Sequence, residues 1–74
     1  VKGYLPFRDY LEEKGLWLDW NDGTEEYDVI RPTGYVNVVI TSLPAQTVRR
    51  DFDAARSQVE AVMTMMDEWG YLLQ

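Results

Sequence analysis

Seventy-four residues make a single domain near the lower end of what folds alone, and 13 acidic against 7 basic side chains leave a net charge of −6. That balance disfavours nucleic acid and anionic membranes as direct partners, because Lys and Arg must neutralise phosphate there. The chain has no His and no Cys, which removes disulfides, His/Cys metal sites and the commonest catalytic bases and nucleophiles, while 46% hydrophobic and 14% aromatic content suffices for a packed core.

Leu5-Pro6-Phe7 opens the first helical pattern. Pro6 suits the first helical position, where its missing N–H has no partner to lose, and Phe7, Tyr10 and Leu11 fall at i, i+3, i+4. Gly15 stops this helix. Arg8 and Glu12 are spaced to pair on its outer face, and Lys14 lies near the C-terminal end, where the helix dipole favours a cation.

From Leu16 to Ile30 the chain reads LWLDWNDGTEEYDVI, with five carboxylates, no basic residue and three large aromatics. The period changes to two, and Asp22-Gly23 is the dipeptide that best supplies the positive φ angles of a two-residue hairpin turn. The register that follows sets Leu18 opposite Tyr27, Trp20 opposite Glu25 and Asp19 opposite Glu26. Alternation puts Leu16, Leu18, Trp20, Tyr27 and Val29 on a core face and Trp17, Asp19, Glu26 and Asp28 on the outer one.

Pro32-Thr33-Gly34 is a turn, and Tyr35 to Thr41 (YVNVVIT), rich in β-branched residues, is expected as the central strand. Ser42-Leu43-Pro44 then leads into a long helix from about Thr47 to Trp69, with Thr47 as N-cap and Gly70 as left-handed stop. Its seam, Val48, Phe52, Ala55, Val59, Val62, Met66 and Trp69, is spaced 4, 3, 4, 3, 4, 3. Arg49 with Asp53 and Arg56 with Glu60 are spaced to pair on its flanks. Tyr71-Leu72-Leu73 is read as a short final strand or a packed tail.

These elements predict one α+β domain over residues 1–74, ordered α-β-β-β-α with an optional short C-terminal strand. A mainly antiparallel sheet of three or four strands is packed by the long helix in two layers. That helix spans roughly 35 Å against about 23 Å for a seven-residue strand, so its end overhangs the sheet. Either the first helix covers the overhang or a second copy does, through Met63, Met65, Met66 and Trp69. Met63 and Met66 flank the seam and read first as core, whereas Met65 points elsewhere.

Catalysis is not expected. Ser42 and Ser57 have no evident activating partner, and the acidic residues cluster on a solvated hairpin rather than in a site that would split their pKa values. The run D-W-N-D-G-T-E-E does not match the spacing of an EF-hand loop, and the glycines are isolated turn or cap residues. No metal or other cofactor is therefore expected. The chain has no run of 18 apolar residues and no signal-peptide pattern, so a cytoplasmic location, in the source or a host cell, is expected. It begins at Val1, which leaves processing, excision from a longer protein and a non-standard start codon open.

The candidate binding surface is the acidic hairpin. Like charges directly across a strand pair cost stability, although acidic strands also guard a sheet edge against aggregation. On the functional reading Asp19, Asp22, Glu25, Glu26 and Asp28 form a ridge for a basic protein surface, such as that of a nucleic-acid-binding protein, with Trp17 as the anchor. The layout of strand, Leu-Pro turn and long helix resembles small bacteriophage proteins, among them inhibitors and head-tail components. The acidic hairpin makes a non-catalytic inhibitor or adaptor the expected function, and the resemblance implies that it is of viral or mobile-element type. The alternative is a structural subunit of a homo-oligomeric or virion-type assembly that associates through the long-helix seam and through strand edges.

Overall fold

A computed structural model describes the backbone of residues 3–73 and the side chains of residues 3–67. The order is α1 (Tyr4–Glu13), β1 (Trp17–Asn21), β2 (Glu26–Pro32), β3 (Asn37–Pro44), α2 (Ala45–Arg50) and α3 (Phe52–Leu73). The strands form an antiparallel sheet in the order β1-β2-β3. The helices pack on one of its faces, so the domain is the expected two-layer α+β arrangement.

Helix α1 ends as its sequence dictates. Gly15 adopts φ +75°, its N–H donates to the Glu12 carbonyl, and the Leu16 N–H donates to the Leu11 carbonyl at 2.8 Å. This pair of bonds is a Schellman cap, and its hydrophobic contact joins Leu11 to Leu16, both buried. One glycine thus ends the helix and aims the chain into β1.

The core combines Phe7 and Leu11 of α1, Leu16 just before β1, Tyr27 and Val29 of β2, Leu43 of β3, Val48 of α2, and Ala55 and Val59 of α3. Each large side chain among them contributes roughly 1.5–3 kcal/mol by leaving water. The core face of the hairpin is as expected, with Leu18 partly buried against this cluster, although Trp20 keeps 39% exposure.

Four local expectations are corrected. The hairpin loop has four residues, Asp22 to Glu25, and the register moves by two: Leu18 faces Val29, Trp20 faces Tyr27 and Asp19 faces Asp28. The positive φ belongs to Glu25 (+55°) instead of the Asp-Gly pair. The Asn21 carboxamide organises the loop by accepting from the Gly23 and Thr24 N–H groups at 2.9 and 3.3 Å. Because side chains alternate with period two, a two-residue slip leaves every residue on its expected face.

Second, β2 is the central strand and β3 an edge. Short turns make sequential antiparallel strands neighbours, so the middle strand in sequence is the middle strand in space, whatever the β-propensity of the third. Third, the long helix is broken. Asp51 leaves helical geometry (φ −134°, ψ 79°), its N–H closes α2 on the Thr47 carbonyl, and its carboxylate caps α3 by accepting from the Ala54 N–H at 3.1 Å. Asp51, not Thr47, is the N-cap, and the seam hides the break because Val48 and Phe52 keep helical spacing across it. Fourth, α3 continues through Gly70 to Leu73, so Tyr71-Leu72-Leu73 is neither strand nor tail.

Among the described residues, the aromatic and hydrogen-bond contacts of α1 with α3 fall on the first half of that helix. Phe7 and Tyr10 meet Phe52 edge-to-face at 6.5 and 6.1 Å, and the Tyr10 hydroxyl donates to Glu60 at 3.3 Å. Beyond Glu60, Val62, Met65 and Met66 border an open groove of about 320 Å³, with Val38, Val39 and Ile40 of β3 as its other wall. Met63 packs against the core and Met65 is 48% exposed, in line with their expected roles. The side chain of Trp69, the fourth residue assigned to self-association, lies outside the described residues.

Candidate functional site

The sheet face opposite the helices is uncovered by any described element. The register sorts its residues into rows: Trp17 beside Ile30, Asp19 beside Asp28 and Ser42, and Asn21 beside Glu26. Trp17, Asp19, Glu26 and Asp28 therefore share one face, as expected, and the exposed indole of Trp17 adjoins the carboxylates.

The carboxylates of this face are not equivalent. Asp28 lies on the central strand, half-buried, and accepts hydrogen bonds from Ser42 Oγ at 2.6 Å and Asn21 Nδ2 at 3.2 Å. Asp19, directly across the ladder, is exposed, and Glu26 is half-buried. The ion pairs among the described residues join Arg8 to Asp9 and Glu12, and Arg56 to Asp53, so none of the five hairpin carboxylates meets a cation there. Directly opposed like charges with no counter-charge raise the local negative potential at a cost in stability.

Asp22 and Glu25 stand apart from this row in the exposed loop. The Asp22 carboxylate accepts from the Trp20 indole N–H, which ties it to the core-face side of the hairpin. There Trp20 packs edge-to-face on Tyr27 at 4.9 Å, and the Arg49 guanidinium lies 5.9 Å from both rings and donates to the Tyr27 hydroxyl at 3.4 Å. Arg49 thus serves a cation–π cluster and not the expected pairing with Asp53; Asp53 meets Arg56, and Glu60 meets Tyr10.

Sequence reasoning missed Asn21 and Ser42 as the groups that orient Asp28. The signal for Asn21 was present, since Asn before a turn commonly bonds to backbone two residues on. Nothing local marks Ser42, which reaches Asp28 only through strand pairing. Among the described residues no three acidic groups converge in a way that would hold a metal ion. No described helix is long and apolar enough to cross a membrane. Comparisons with protein-family models, curated proteins and solved structures gave no match for this chain.

Proposed function

We propose that this chain is a non-catalytic acidic protein-binding module, an inhibitor or adaptor of phage or mobile-element type. It sets the open face of its sheet against a basic protein surface of the kind that otherwise holds nucleic acid. The observation that carries this reading is the direct opposition of Asp19 and Asp28 on an exposed face, with no cation paired to either among the described residues. Like charges across a ladder cost a few tenths of a kcal/mol to about 1 kcal/mol, and a partner that supplies cations turns that cost into attraction.

Each residue has a role in this reading. Asn21 and Ser42 hold the Asp28 carboxylate in one orientation, so little side-chain entropy is lost when a cation meets it. Asp19 and Glu26 extend the charge along the face, while Asp22 and Glu25 add long-range attraction from the loop. Trp17, 53% exposed beside these acids, supplies the apolar anchor that dominates many interfaces.

The test is affinity capture from a lysate of the source organism or its host, with the wild-type chain beside an Asp19→Lys, Glu26→Lys double variant, at low and moderate salt. Capture of a nucleic-acid-binding protein by the wild type alone, lost as salt rises, is the expected result. Equal recovery of the same assembly by both, independent of salt, contradicts it and favours the structural-subunit alternative.

A further inference from the structure

We infer that β3 pairs with β3 of a second copy, forming an isologous dimer with one continuous six-stranded antiparallel sheet. In a chain with 27% charged residues, Pro32 through Val48 carries none, and that run holds the whole of edge strand β3. Sheet edges are ordinarily guarded by charge, as β1 is by Asp19, or by cover. The upper part of β3 is covered, since Gln58 of α3 donates to Thr41 Oγ1 at 2.9 Å and to the Ser42 carbonyl at 3.1 Å. The bulge at Ile40 follows, and below it no described residue pairs with the edge, where Val36, Val38 and Val39 are exposed.

The backbone of that open stretch is poised to pair. The Val36 N–H and C=O both engage Thr33, its N–H on the hydroxyl and its C=O on the backbone N–H, so both turn toward β2. Strand alternation then directs the N–H and C=O of Asn37 and Val39 away from the sheet. A two-fold axis through Val38 pairs Asn37 of each copy with Val39 of the other and satisfies all these groups. Antiparallel self-pairing is self-complementary, as an isologous contact requires.

Area and charge both select a second copy. Tyr35 is 99% exposed, Val36 63%, Val39 52%, Met65 48% and Val38 41%. These side chains offer roughly 500 Å² of apolar surface per copy, and with the strand backbone approach the ~600–1,000 Å² per partner of a small specific interface. The α3 groove residues Val62, Met65 and Met66 flank the axis and bury one another. The acidic β1 edges of the two copies fall five strand spacings apart, about 24 Å, well beyond the ~8 Å screening length of physiological salt. Two copies of net charge −6 meet here at the least repulsive place available.

Sedimentation equilibrium at high micromolar concentration, in low and high salt, tests this. A mass of twice 8.7 kDa is expected, with dissociation weakened as salt screens the net charge, opposite in sign to the salt dependence of acidic docking. Val38→Lys sets like charges across the axis and should give a monomer of unchanged circular dichroism, whereas Leu5→Lys on exposed α1 surface stays dimeric. Because the chain has no other thiol, oxidised Val38→Cys should yield a covalent dimer of unchanged fold. A monomer in all salts overturns the inference. So does a dimer that survives Val38→Lys and does not cross-link through Val38→Cys.

Discussion

Asp19 and Asp28 face each other across the β1–β2 ladder, and among the described residues only Asp28 is answered, by the Asn21 amide and the Ser42 hydroxyl. The two carboxylates therefore respond in opposite directions to neutralisation. Asp19→Asn relieves repulsion and should stabilise the fold by roughly 0.2–1 kcal/mol, more at low salt than at high. Asp28→Ala strips partners from two donors and should destabilise it by roughly 1–3 kcal/mol. Urea denaturation at two salt concentrations checks both signs. A loss of stability in Asp19→Asn would mean that the opposition carries no strain, removing the main support for a docking role.

Gly15→Ala should cost about 1 kcal/mol or more. No atom lies within 4 Å of the added methyl, so the whole effect comes from φ +75°, which side chains other than glycine adopt poorly. Thermal unfolding measures it, and a D-alanine at the same position, introduced by chemical synthesis, should recover the loss.

Asp51→Ala should lower stability by about 0.5–2 kcal/mol, since it removes the side-chain acceptor of the Ala54 N–H at the start of α3. Asp51→Ser should restore much of it. Thr47→Ala, at the position that sequence alone nominates as the cap, should change little by comparison, and urea titration of the three variants ranks them.

Tyr10 gives the fold an alkaline pH dependence. Burial raises its phenol pKa, and the adjacent Glu60 carboxylate raises it further by its charge and its hydrogen bond, against an opposing effect of Arg56. The folded state therefore holds this proton more tightly than the unfolded chain does. The resulting stability is fully present below the ordinary tyrosine pKa of about 10 and is lost as pH rises from there through the folded value. Tyr10→Phe should flatten the decline in melting temperature above that pH. Ultraviolet titration of the same variant should lose a phenol that ionises above the ordinary tyrosine pKa.

The elements were legible in the sequence wherever the cause is local. Gly15 announces the end of α1, the switch to period two announces β1 and β2, and the spacing from Val48 to Val59 announces the core-facing stripe of α2 and α3. The shared face of Trp17, Asp19, Glu26 and Asp28 was legible for a stronger reason: alternation survives the two-residue error in register. Asp51 was less legible, because the apolar spacing that signals a helix runs straight through the residue that breaks it.

By itself, then, the sequence determined the α+β class, the face each hairpin residue occupies and the net negative charge, because periodicity and composition act within a few residues. Tertiary structure alone decided the rest. It placed β2 and not β3 at the centre of the sheet, set Asp19 against Asp28, brought Ser42 to that carboxylate from 14 residues away, and drew Arg49 onto Trp20 and Tyr27. Each depends on which strands and helices become neighbours. That is settled by the joint burial of Phe7, Leu11, Val29, Leu43, Val48 and Val59 in one core, a constraint no local stretch of the chain contains.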